Sequence, residues 1–207
     1  MRRPAKAEQA PAVMVLPATK LAARMLSIVG HPALLMPAAV TVGASRADSA
    51  PRLLPVALAT AIAVALIVGL YSLWQVRAGR WLHVDASQPA ERRQLNLFLA
   101  ALLGGAAALL AVLGQPLPVV LGPVLAALLV LLTHLLRHWL KVSLHAAFAV
   151  FACAMVWPHP LPTLAAAMLA AGVAWSRLAL RRHTGPEVLL GLLLGAGLGA
   201  AFRVLVV

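Results

Sequence analysis

Seven apolar runs, most of them about as long as a bilayer is thick, constrain this chain more than any other feature. They cover approximately residues 21–42, 53–76, 94–113, 117–136, 143–157, 161–175 and 187–207. A hydrocarbon core takes roughly twenty helical residues. Within it every backbone N–H and C=O must find a partner inside the protein, which leaves helices as the form for runs of this length. The expected fold is therefore all-α: a polytopic transmembrane helical bundle of six to seven spans. The first run is broken by His31, Pro32 and Pro37, and the fifth and sixth are short. Gln115-Pro116 and Pro158-His159-Pro160 read as tight turns, which makes runs three and four, and runs five and six, antiparallel hairpins. Gly104, Gly105, Gly191, Gly195, Gly197 and Gly199 are expected to let helices approach closely. There is no internal repeat and no boundary that would split 21–207 into two domains.

Composition narrows the partners. Hydrophobic residues make up 63% of the 207 and charged ones 11%, with a mean hydropathy of +0.95, which excludes an ordinary soluble domain. Net charge is +12. The basic residues sit mostly at the ends of apolar runs, and aromatic residues are too few for a base-stacking surface. The implied partners are membrane lipids and phosphorylated lipids, with no nucleic acid. Residues 1–20, with Arg2, Arg3, Lys6 and Lys20, lack the apolar core of a signal peptide. They read as a basic disordered tail or a weak surface anchor. Cys153, the single cysteine, lies inside an apolar run and rules out an intramolecular disulfide.

Alternation of seven spans puts the starts of runs three, five and seven on one face of the membrane. Those are the places where polar residues gather: Glu91-Arg92-Arg93, then Lys141-Val142-Ser143-Leu144-His145, then Arg177 to Glu187. Three polar clusters are thus expected to converge. Fourteen of the seventeen Lys and Arg fall on that side, against Arg46, Arg52 and Arg203 on the other. The positive-inside rule then makes the clustered face cytoplasmic. Setting aside Arg92, Arg93, Lys141 and Arg177 as substrate contacts leaves the direction unchanged.

The segment from Ser176 to Glu187 concentrates three arginines, a histidine and one of five carboxylates between two apolar runs. Charge at such a boundary is a functional-site candidate. His183 stands just before the helix that Pro186 and Glu187 open, where backbone N–H groups favour an anion. Guanidinium groups to hold a phosphate, a histidine to act on it and a carboxylate to orient that histidine can meet there.

Ser176-Arg177, five residues, His183, three residues and Glu187 resemble the third signature of the type 2 phosphatidic acid phosphatase superfamily, with Glu in place of Asp. Val142-Ser143-Leu144-His145 is similar to its second signature, Pro-Ser-Gly-His. The similarity covers about residues 80–207. It implies a membrane-embedded, metal-independent lipid phosphatase without a cofactor. A phosphorylated lipid would be its substrate, in an integral protein of a plasma membrane, the inner membrane of a bacterium. It further implies that His183 is the nucleophile, Glu187 its orienting partner, and His145 the group that protonates the leaving oxygen. Arg177 would clamp the phosphate and Ser143 would offer it a hydrogen bond. The family's first signature, Lys, six residues, Arg-Pro, is absent: Asp85 and Ala86 stand seven residues before Arg92 and Arg93. Lys141, or Arg92 with Arg93, is expected to supply the missing charge. These departures define the alternative, a catalytically impaired relative that binds anionic lipid or assists a membrane partner. A transporter is disfavoured because no charge falls in the middle of a span.

Other residues have plainer readings. Arg137, Arg181 and Arg182 read as anchors that snorkel to headgroups. His31, His83 and His159 read as solvated interfacial residues. His134 and His138, four apart, read as a polar stripe rather than a metal pair, since no third ligand accompanies them. Ser143 reads equally well as an N-cap. Asp85 reads as structural, bridging to Arg92 or capping the third run.

Overall fold

The apolar runs become helices in the computed structural model, which describes residues 18–45 and 50–206. Eight helices and no strand occur among these residues: α1 (Ala18–Val29), α2 (Pro32–Ala44), α3 (Ala50–Arg77), α4 (Pro89–Val112), α5 (Leu117–Leu136), α6 (Leu144–Val156), α7 (Pro160–Ala179) and α8 (Gly185–Val206). Helices α3, α4, α5, α7 and α8 are long and apolar enough to cross a membrane; α1 with α2 makes a sixth span if that bent pair is one. The chain is a helical membrane protein. Of the expected basic tail, residues 1–17 lie outside the described residues, whereas Ala18, Thr19 and Lys20 already belong to α1.

Two of the expected runs take another form. The first is not one continuous helix but two, bent by 55° where they meet. Proline at position 32 brings no N–H to continue α1, and His31 caps α2 by accepting from the Ala33 N–H through Nδ1 at 3.2 Å. Pro37, by contrast, is carried inside α2. The fifth run forms α6, whose 13 residues extend about 20 Å, well short of a hydrocarbon core of about 30 Å. This helix is instead the centre of the bundle, enclosed by α2, α7 and α8, with Ala146, Ala147, Phe151 and Ala152 fully buried.

Closeness to α8 explains why α6 can be so apolar and so small-sided. A Cβ built on Gly191 would stand 2.6 Å from the Ser143 carbonyl oxygen, and one on Gly195 2.2 Å from that of Ala147. Gly199 repeats the pattern against Ala154. One stripe of glycines, four apart, lets the two backbones touch. Gly104, Gly105 and Gly197, grouped with them from sequence, have nothing within 4 Å.

Helix ends are set by local chemistry. Arg80 N–H reaches the Gln75 carbonyl at 3.0 Å and Gly79 N–H that of Val76 at 3.0 Å, closing α3 with Gly79 at φ +69°. Gln115 to Leu110 and Gly114 to Ala111, both at 3.0 Å, close α4 in the same way. These are Schellman motifs, which place their turning residue in the left-handed region. Helix α4 starts at Pro89, five residues ahead of its apolar run, because Glu91 reaches back to the Gln88 N–H at 2.9 Å as a capping box. The other carboxylate oxygen of Glu91 takes the Leu82 N–H at 2.8 Å, and Trp81 Nε1 donates to Gln94 at 3.0 Å. Tyr71 stacks on Phe98 at 3.8 Å. Together these contacts fix the α3–α4 connection.

The bundle leaves one helix loosely held. No residue of α3 from Arg52 to Tyr71 is buried; it runs along α2 and meets α4 and α5 at few points. Trp74, Trp139 and Trp175 are exposed at the ends of α3, α5 and α7, the level at which indole rings mark a membrane interface.

Candidate active site

The α7–α8 turn builds the site from two capping motifs placed back to back. Arg181 N–H donates to Leu178 O at 2.9 Å and Arg182 N–H to Arg177 O at 3.0 Å. This is a third Schellman motif, with Arg181 at φ +51° where the other two use glycine. His183 N–H also turns toward the Arg177 carbonyl, at 3.3 Å. The five residues between Arg177 and His183 are thus the length of one helix-ending turn. Thr184 then caps α8: its carbonyl takes the Val188 N–H at 3.1 Å, and Glu187, third in the helix, accepts the Thr184 N–H at 3.0 Å. His183 sits one residue before that cap, so the same carboxylate oxygen reaches its Nδ1 at 3.3 Å.

A second contact decides the state of the imidazole. Nδ1 of His183 lies 2.9 Å from the carbonyl oxygen of Lys141. That oxygen can only accept, so Nδ1 carries the proton and shares it between Lys141 and Glu187. Nε2 is left with the lone pair. Burial, then the charges of Lys141 and Arg177, push the His183 pKa down to about 4 from the ordinary 6.5, against the opposing pull of the Lys141 carbonyl and Glu187. The ring is therefore neutral near pH 7, with a lone pair on Nε2 of the kind a nucleophile needs. Lys141 is itself tied across the turn, Nζ donating to the Arg182 carbonyl at 2.7 Å. Its pKa is lowered by burial and then by Arg92.

His183 lines a cavity of about 940 Å³ together with His145, Arg177, Lys141, Arg92, Arg93 and Arg182. Asp85, Ser87, Arg137 and His138 join them, so all three polar clusters face one space. From this basic end the cavity continues as an apolar groove between α2, α3, α4 and α5, past Met36, Ala57, Val64 and Leu99. The first residues of α2, α4 and α6 also line it (Pro32, Pro89 and Leu144), so the positive ends of several helix dipoles add to the side-chain charge.

Not every residue singled out from sequence faces that space. Ser143 is fully buried and is no part of the cavity lining. Its hydroxyl accepts the Ala146 N–H at 3.5 Å as the N-cap of α6, and its own N–H donates to the Glu187 carbonyl at 3.1 Å. It joins α6 to α8 and presents no hydroxyl to a phosphate. Arg177 does line the cavity, with Nη1 donating to Ser27 of α1 at 2.8 Å and a buried Nε without a partner. Arg92 donates through Nη1 to the Ser87 carbonyl, while Arg93 is exposed. Glu91 is occupied in capping and takes no part.

The structure also brings in residues that sequence reasoning left aside. His31, read as solvated, packs against His145 with ring centroids 4.9 Å apart and planes at 81°. Ser27 and Asp85 stand beside them around a smaller cavity of about 220 Å³. The only sequence signal was the Gly30-His31-Pro32 break, which marks where a helix must end and another begin. His134 is buried within α5, and among the described residues no three His, Cys, Asp or Glu side chains gather as a metal site.

No family model, no curated protein and no solved structure matches this chain.

Proposed function

We propose that this membrane protein is a lipid phosphatase, resembling the type 2 phosphatidic acid phosphatases, that hydrolyses a phosphomonoester or diphosphate through a phosphohistidine. The observation that carries the reading is the His183 imidazole, held by the Lys141 carbonyl and Glu187 with Nε2 free. It stands where a basic pocket opens into an apolar groove. The groove takes the acyl or prenyl chain and the pocket takes the phosphate. Phosphoryl transfer asks chiefly for in-line positioning and dispersed positive charge. Arg177 has an unpaired buried Nε–H to give, and Lys141, Arg92 and Arg93 supply further charge. In the first half-reaction Nε2 of His183 bonds phosphorus as the ester bond breaks, and His145, protonated as the anionic substrate binds, gives that proton to the departing lipid oxygen. In the second, water bonds phosphorus, the P–N bond breaks, and His145 takes a proton from the water. Lipid alcohol and inorganic phosphate are the products. The excess of basic residues on this face supports a cytoplasmic site in a plasma membrane.

A second reading is favoured by two contacts. Arg177 is partly spent on Ser27, and the Ser143 hydroxyl is turned inward. A non-catalytic relative that binds anionic lipid would tolerate both. Phosphate release from a panel of lipid phosphates, with chelator present and His183→Ala alongside at equal folded amount, separates the two. Turnover that vanishes in the variant supports the phosphatase. Lipid binding with no turnover on any substrate supports the second reading.

A further inference from the structure

His31 occupies a position that the proposed reaction needs filled. It belongs to the break between α1 and α2, yet its ring stands edge-on to that of His145, the group given the acid and base roles, with centroids 4.9 Å apart. The capping bond from the Ala33 N–H requires an unprotonated Nδ1, so the ring is neutral with its hydrogen on Nε2. The charged groups facing it are Asp85 from the α3–α4 connection and Arg177 from α7. His145 itself comes from α6, and Ser27 from α1 completes the surround.

We infer that His31 is a positioning residue for phosphate-ester hydrolysis, a neutral imidazole locked by the α2 cap that holds His145 in place through both half-reactions. The inference rests on the phosphatase reading. His145 must hand a proton to the lipid oxygen and later accept one from water, from the same position, to leave the protein unchanged. Its own helix fixes only its backbone. The ring needs a wall, and a wall able to become cationic would oppose the imidazolium that His145 forms. A histidine whose second nitrogen is committed to a helix cap meets both needs.

Asparagine separates capping from positioning, because it caps helices as well as any residue but offers no ring. The experiment compares wild type, His31→Asn and His31→Lys in mixed micelles, using the best-cleaved lipid of the phosphomonoester and diphosphate panel. It reads kcat, KM, thermal midpoint and trapped phosphohistidine. Asparagine should leave the midpoint and KM unchanged and lower kcat about 10²-fold, the penalty of a misplaced reacting group, with His183 still phosphorylated. Lysine, which sets a cation beside His145, should lower kcat further. His31→Asn with wild-type kcat overturns the inference while leaving the phosphatase standing. A fall in kcat that is matched by a lower midpoint and raised KM overturns it too, since His31 is then only structural. Wild-type protein that forms no phosphohistidine overturns the phosphatase reading, and this inference with it.

Discussion

Gly195→Ala tests the contact that holds the two halves of the site together. The new Cβ would lie 2.2 Å from the Ala147 carbonyl oxygen and 2.9 Å from its carbon. Carbon atoms pack at about 3.5–4.0 Å, so α8 must withdraw from α6 by about 1 Å. Both atoms met belong to the backbone, and no rotamer change can relieve them. Overpacking of this kind costs about 1–3 kcal/mol, here at the upper end, offset by up to about 1 kcal/mol of helix propensity. A net loss of about 2 kcal/mol lowers the melting temperature by about 4–8 °C for a chain this size. Gly197→Ala is the internal control: nothing lies within 4 Å of its Cβ, so it should gain about 1 kcal/mol from propensity alone. The same displacement separates His145 and Ser143 on one helix from Glu187 on the other. Activity of the Gly195 variant should therefore fall about 10²-fold while the Gly197 variant keeps it. Thermal unfolding of all three proteins in one detergent reads the first effect and phosphate release the second. Shifts of equal sign and size at the two positions would refute the close-contact argument.

Because the pKa of His183 is depressed in the folded protein, the native state binds fewer protons than the unfolded one between pH 6.5 and about 4. The stability this contributes is full above pH 6.5 and is lost as pH falls through about 4, which acid titration of unfolding should show. In the proposed reaction neutral Nε2 is the attacking form, so the acidic limb of kcat/KM should lie near pH 4. Lys141→Met, which removes a neighbouring charge but keeps the backbone carbonyl, should move that limb upward. Glu187→Gln should lower kcat by about 10²-fold with little loss of stability, since Gln also closes a capping box and the Lys141 carbonyl still selects the tautomer. Glu187→Ala should cost about 1 kcal/mol in addition, read as a lower thermal midpoint. Orthovanadate, a phosphate mimic for the unpaired Arg177 donor, should stabilise the protein by about 2.7 kcal/mol at a hundred times its Kd, and Arg177→Ala should abolish that shift.

Length was the useful guide here. The runs at 53–76, 117–136 and 187–207 lie close to α3, α5 and α8, because long uninterrupted apolar stretches have few other ways to satisfy their backbone. Boundaries failed where polar residues are helical: α4 begins at Pro89 through the Glu91 cap, which lies outside the apolar signal. The shortness of run 143–157 was visible, but its role as the central helix was not, since burial comes from neighbours distant in the chain. At the site, the spacings Arg177–His183 and His183–Glu187 were legible, being lengths of local caps. That Lys141 comes near His183 followed from the alternation of spans, but the Lys141 carbonyl as the partner of Nδ1, and His31 as the companion of His145, did not. These pairs are separated by 42 and 114 residues, and only packing joins them. Ser143 shows the converse: a hydroxyl in a suggestive motif satisfied by its own helix.

The loose seating of α3 bears on how such a protein must be assayed. That helix meets α4 and α5 at few points, and the apolar groove between them is walled by helices long enough to cross a membrane. For the proposed phosphatase, a lipid substrate entering there would never leave the membrane, and the quantity that saturates the protein would be its mole fraction among the surrounding lipids. Adding inert detergent at fixed total substrate should thin that fraction and slow the reaction, although nothing dissolved in the buffer has changed.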